Sequence, residues 1–398
     1  MSLIRYKSID LDKKVILPII IIFTMLAMAL YAFVTLEHEG HWMTGMNNQV
    51  VWGLPHVFAI FLIVAASGVL NIASISSVFD ISIYKPLSRL SGLLAIGLLI
   101  GGLMVLVLDL GRPDRLVVAM TTFNFKSIFA WNILLYTGFL FTVVIYLWMM
   151  FEGRYNKYVT KVGMFAYAWR IILTTGTGSI FGFLVAKEAY DSAMLAPLFI
   201  AMSLLFGTAI FIKALYFLRV SFDLQTGEII YKRLKKLLTY FILAVFYFTI
   251  LFHITNLYAT THHDYEFFLL FSGNIYTYLF WVGNILVGTF IPLYLITSKK
   301  FFGCWNILLL ASSLIIIGGF IHLYVIIVSG QAFPLDIFPG YIESSTFGDG
   351  VIATYTPSIY EIMLGFGGVA IASAVFILGI LSLEFIPESL EDEQIQSK

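Results

Sequence analysis

A chain of 398 residues would ordinarily divide into two or three soluble domains, but 60% of these residues are hydrophobic and only 12% are charged. Soluble domains carry about 25% charge, so this chain cannot cover a water-facing surface and reads as an all-α polytopic membrane protein. Lys+Arg and Asp+Glu balance at 23 each, which leaves no basic excess for nucleic acid. The single Cys304 excludes a disulfide framework, a cysteine-ligated zinc and an iron–sulfur cluster held by this chain alone.

A bilayer core requires about 20 apolar residues per helix. After a tail over 1–14, ten such runs follow: roughly 15–36, 52–79, 88–109, 127–150, 164–188, 194–218, 238–260, 274–297, 303–328 and 358–383. They are continuous rather than alternating, which argues against a barrel. The first contains Ala27-Met28-Ala29, a cleavage-type tripeptide, yet stays apolar to Leu36 and reads as an uncleaved anchor. Pro18, Pro55, Pro292 and Pro357 fall near span ends, where a missing N–H matters least. The fifth run carries Thr174-Thr175-Gly176-Thr177-Gly178-Ser179, and its Gly178/Gly182 spacing suits a close helix contact. Between the ninth and tenth runs, Pro334, Pro339, Gly340, Gly348 and Gly350 read as turns. The end, 384–398, with Glu384, Glu388, Glu391, Asp392 and Glu393, reads as a short acidic, disordered tail.

Seventeen Lys and Arg residues lie in the two tails and the loops on their side, against Arg112, Arg115 and Lys126 in the opposite loops. The positive-inside rule then places both termini in the cytoplasm. With that orientation, all seven histidines belong to the outer half: His56, His253 and His322 within spans, His38, His41, His262 and His263 in loops. Asp109 closes the third span there, Lys187, Glu188 and Asp191 the fifth, and Glu361 opens the tenth. Ionisable groups inside a membrane are costly and therefore candidates for function. Plainer readings stand beside this one. Lys187, Glu188 and Glu361 also fit helix ends with heads in water, and His253 and His322 also fit satisfied packing histidines. A two-haem wire across the membrane would need histidines in the inner leaflet, which has none; a single outer haem between His253 and His322 stays open.

The loop after the third span reads Leu108-Asp109-Leu110-Gly111-Arg112-Pro113-Asp114-Arg115 and is the outer loop that keeps arginines. Either the arginines brace a turn against Asp109 and Asp114, or their planar forks position a ligand or partner. Leu110-Gly111-Arg112-Pro113-Asp114-Arg115 resembles the motif of the NrfD/polysulfide-reductase membrane-subunit family, and Asn124, Ser127 and Trp131 fit the same pattern. Thr44-Gly45-Met46-Asn47, Val51-Trp52-Gly53-Leu54-Pro55 and Ser67-Gly68 are similar to its ten-span branch. The resemblance implies two four-helix bundles, spans 2–5 and 6–9, with flanking helices. It implies a quinone or menaquinone as exchangeable substrate near the outer face, and no haem or iron–sulfur cluster in this chain. It also implies a ferredoxin-like iron–sulfur subunit docked on that face, a molybdopterin or multihaem cytochrome catalytic subunit beyond it, and a home in the prokaryotic cytoplasmic (inner) membrane.

The expected site follows from both readings. His56 is the proton acceptor or ring partner, because an imidazole titrates near neutrality. Asp109 relays the proton, and Arg112 holds Asp109 or the partner subunit, with Arg115 beside it. Tyr136, Glu188 and His253 are further quinone contacts. Asn71, Arg170, Thr174 and Lys213, with Ser67, could form an inward proton path. A secondary transporter is the alternative from another class, and it would need a broken mid-membrane helix, for which 174–182 is the candidate.

Overall fold

The computed structural model describes residues 5–8, 13–301, 303–335, 341 and 350–393; Pro339, Gly340, Gly348 and Lys398 lie outside the described residues. Among the described residues, ten long helices make up the molecule. They are α1 (Lys13–Glu39), α2 (Leu54–Val78), α3 (Ser82–Leu108), α4 (Ile128–Phe151), α5 (Val159–Gly182), α6 (Leu195–Phe222), α7 (Glu228–Tyr258), α8 (Ile275–Thr297), α9 (Trp305–Ala332) and α10 (Ile359–Ser382). Nine of these described helices are long and apolar enough to cross a membrane. The exception is α5, as long as its neighbours at 24 residues but diluted by Arg170 and its run of Thr and Gly.

Helices α2–α5 pack as one four-helix bundle and α6–α9 as a second. The bundles meet where α2 crosses α6, and there the backbones touch: a Cβ on Gly68 would fall 1.6 Å from the carbonyl oxygen of Ser203, and one on Gly207 would fall 2.1 Å from the amide of Val69. Only glycine permits that approach. Helix α10 lies along α3 and α2, and α1 lies outside α10. The expected close contact of Gly178 and Gly182 is present, against the backbone at Leu195 and Ser192 where α6 begins.

The chain ends share one end of the molecule. Strand β1 (Tyr6–Lys7) pairs antiparallel with β2 (Ile386–Pro387), and Arg89 sits over the rings of Tyr6 and Phe151 while donating to the carbonyls of Glu384 and Met150. The tail expected to be disordered is thus docked as far as Asp392. Its Asp392 carboxylate accepts the amides of Glu228 and Ile229 and caps α7, so the helix starts ten residues before the apolar run does. The seven histidines lie in the half of the molecule toward the opposite end, called here the His56 end. Helix α5 stops at Gly182 rather than 188, so Lys187 and Glu188 belong to the turn beyond it, and it runs unbroken through 174–182. The helix break that a transporter reading required is therefore absent from that segment.

Candidate functional site

Helix α2 starts with Pro55 in its first turn, where the fixed φ suits the helix and no N–H is lost. The segment before it is anchored on three sides. Gln331 accepts the amides of Val51 and Trp52 at 3.0 and 2.9 Å and donates to the Trp52 carbonyl at 3.0 Å. Tyr355 accepts the amide of Leu54 and donates to Glu361 at 2.7 Å. The fully buried Glu361 carboxylate also takes the amides of Gly45 and Ser358 at 2.8 and 2.6 Å. His56 therefore projects from a braced element. Burial first, and then the hydrogen bond to Glu361, push the Tyr355 phenol far up, so it remains a donor.

Asp109 ends α3, its amide bonded to Val105 and its carbonyl 3.1 Å from Nε2 of His41. Its carboxylate stands 3.1 Å from Nδ1 of His56, with side-chain exposures of 1% for Asp109 and 26% for His56. The approach is a close charge contact and not a hydrogen bond, since the groups are out of line; His56 Nδ1 and both Asp109 oxygens have no hydrogen-bond partner among the described residues. Buried acceptors are almost always satisfied, and an orphaned carboxylate is among the most costly groups to bury. Two free acceptors and one imidazole thus lie beside the Trp52 ring, itself 5.8 Å from Phe129 and 5.9 Å from Phe181.

Most of the other expected site residues are engaged elsewhere. Arg112 does not hold Asp109: its fork grips Asp114, Nε to Oδ1 and Nη2 to Oδ2, both 3.1 Å, because the turn at Pro113 brings the two side chains together first. That bond holds the Asp114 carboxyl below its ordinary range and raises the guanidinium. Arg115 is exposed. Tyr136 bonds Thr177 at 3.2 Å, inside the α4–α5 seam. The Glu188 carbonyl meets Nδ1 of His262 at 2.6 Å. Its neighbour Lys187 donates to the carbonyls of Gln331 and Phe333 and so caps α9; burial lowers its ammonium. His253 belongs to the second bundle, 2.8 Å from Glu266.

Three of the four inward polar residues do meet. Arg170, buried at 1% exposure, donates to Asn71 at 2.9 Å, and Thr174 bonds Ser67 at 2.6 Å. Lys213 instead reaches Ser313 between α6 and α9, because its position on α6 faces the second bundle. Gln331 and Glu266 do not stand out in the sequence. Glu266 sits in a short helix, His263–Leu270, between spans. Its signal is indirect: His253 and Asn256 are a polar i, i+3 pair on apolar α7 that needs a partner.

Residues 42–335 match the family model described as polysulphide reductase, NrfD. Among curated relatives, the chain is similar to an Hdr-like menaquinol oxidoreductase integral membrane subunit of Archaeoglobus fulgidus, 28% identical with 99% of each chain covered. It is also similar to a selenate reductase subunit of Mesobacillus selenatarsenatis, 22% identical over 90% of this chain and 92% of the relative. A putative dimethyl sulfoxide reductase membrane subunit of Halobacterium salinarum is 26% identical over 85% of this chain and 84% of the relative. With a family model spanning well over half its length and the ten-helix layout around it, this chain belongs to the NrfD polysulphide reductase family.

Proposed function

We propose that this chain, a quinone-interacting membrane subunit of a respiratory oxidoreductase complex, takes the quinone headgroup at His56 and Asp109. The observation that carries this is the Asp109 carboxylate, buried 3.1 Å from an imidazole with neither oxygen bonded. A quinol hydroxyl supplies the donor that oxygen lacks, and a protonated imidazole supplies one for a quinone carbonyl. Trp52 and Phe129 offer apolar ring faces beside it. The relatives' names, a menaquinol oxidoreductase among them, support menaquinone as the substrate.

Oxidation of a quinol releases two electrons and two protons. His56 takes the two protons in turn, with Asp109 stabilising the imidazolium each time, and passes each out through its exposed edge before receiving the next. The electrons pass to a ferredoxin-like iron–sulfur subunit at the His56 end and on to a molybdopterin or multihaem cytochrome catalytic subunit. The exposed loop with Arg112 and Arg115, continued by Val117, Val118 and Phe125, is the docking surface for that subunit. The bias of Lys and Arg toward the terminal end supports an orientation with the termini in the cytoplasm and the His56 end outside, in the prokaryotic inner membrane. Asn71, Ser67, Arg170 and Thr174 give a polar seam through the first bundle, extended by Thr177 and Tyr136, along which protons would cross. Quinol turnover in proteoliposomes without proton movement would remove that last element.

The test of the site is quinol-dependent reduction of the partner by the assembled complex carrying His56→Ala. Loss of turnover with the complex intact is expected; unchanged turnover removes His56 from the site.

A further inference from the structure

A second histidine–carboxylate pair lies at the same end, in the other bundle. His253 Nδ1 is 2.8 Å from Glu266 Oε2, and Asn256 donates to the second oxygen, Oε1, at 2.9 Å. The Glu266 side chain is 0% exposed and that of His253 10%. Across a narrow cavity, His253 faces His322, which is buried. The space between holds about one water molecule. That space is far smaller than a porphyrin or a quinone ring. Two walls of the cavity are π-helical: Phe280 in Leu279–Phe290 of α8, and Val325 and Ile326 in Val325–Ser329 of α9. Such segments are rare and gather at functional sites.

The charges in this cluster decide what it can hold. Ionised Glu266 and protonated His253 form a neutral pair with every carboxylate oxygen bonded. Adding a second proton creates a net positive charge beside His322, and removing the first leaves a bare buried carboxylate. Both alternatives place net charge in a medium that solvates it poorly. Other titratable groups at the edge among the described residues are Tyr265 of the short helix, Tyr276 of α8 and Tyr190 after α5, all of them phenols.

We infer that His253, Glu266 and His322 form a second, closed proton site, which holds one exchangeable proton shared through a single water and exchanges it at the His56 end of the α6–α9 bundle. The proton passes between His253 and His322 as a unit, so the two rings titrate in one coupled step. The inference does not rest on the quinone reading. It is tested on the full chain labelled with 15N-histidine, by following ring-nitrogen shifts of wild type, Glu266→Gln and His322→Gln against pH. His253 and His322 are expected to respond at a common midpoint. Glu266→Gln removes the counter-charge and should lower that midpoint by about 1–3 pH units. His322→Gln should shift the midpoint of His253. Rings that titrate independently of one another, or that stay constant across the whole range in which the chain is folded, would overturn the inference, and the wild-type titration alone decides this should either variant fail to fold.

Discussion

His56 and Asp109 in the first bundle stand 3.1 Å apart, and His253 and Glu266 in the second stand 2.8 Å apart, at the same end of the molecule. The groups are alike and their surroundings are not. In the second bundle Asn256 and His253 satisfy both Glu266 oxygens, and packing closes the space around them. In the first, both Asp109 oxygens are left without a donor among the described residues, and the histidine is partly open. An unsatisfied buried pair invites a ligand, whereas a satisfied one stores charge or holds structure. Polarity alone does not mark a membrane site; incomplete bonding does.

The comparison can be broken most directly at the open pair. His56→Ala or Asp109→Asn should lower quinol-dependent turnover by about 10²–10⁴-fold, the range of a general acid–base group; Asp109→Asn removes a buried carboxylate without hydrogen bonds, so the unfolding midpoint of the purified chain should hold or rise. At the closed pair the pattern inverts. His253→Ala should cost about 3–5 kcal/mol of stability by leaving Glu266 charged and without its counter-charge, read as a fall in thermal unfolding midpoint in detergent, while folded molecules keep quinol turnover. A smaller effect is expected at Gln331→Ala. It frees the amides of Val51 and Trp52; Val51 is exposed and its amide can turn to water, so the cost is that of one orphaned group, about 1–3 kcal/mol. Because Trp52 loses its brace, KM for quinol should rise more than kcat falls.

The smallest effect belongs to the exposed loop. The Arg112–Asp114 contact is fully solvated, so Arg112→Ala should leave the unfolding midpoint in place and weaken only assembly with the partner subunit, measured by co-purification at rising salt. Asp114 is depressed below its ordinary value of 3.8 by the Arg112 hydrogen bond. Its contribution is therefore present above that value and lost as pH falls through the lower folded-state value. Neutral and mildly alkaline solution should not disturb the loop.

Most of the fold is legible in the sequence because a bilayer leaves the backbone one solution, and long apolar runs announce it. Sequence and structure part where tertiary contacts set a helix end. The apolar stretch Phe183-Leu184-Val185-Ala186 reads as span, yet α5 stops at Gly182, where it meets Ser192, and Lys187 turns away to cap α9. Lys232, Arg233, Lys235 and Lys236 read as loop, yet lie within α7 because Asp392 caps it earlier. His56 and Asp109 can be named from orientation and the Pro55 entrance. Glu266 and Gln331 cannot, since each serves a partner on another element, and hydropathy carries no pairing information. Arg112 follows Asp109 closely enough to suggest that the two pair, but Asp114, two residues further on, takes it first.

The most direct measurement is binding of a quinone analogue to the purified chain, wild type against His56→Ala. Tight binding by the wild type that is lost in the variant is the predicted result; equal binding by both would contradict the placement of the headgroup at His56 and Asp109.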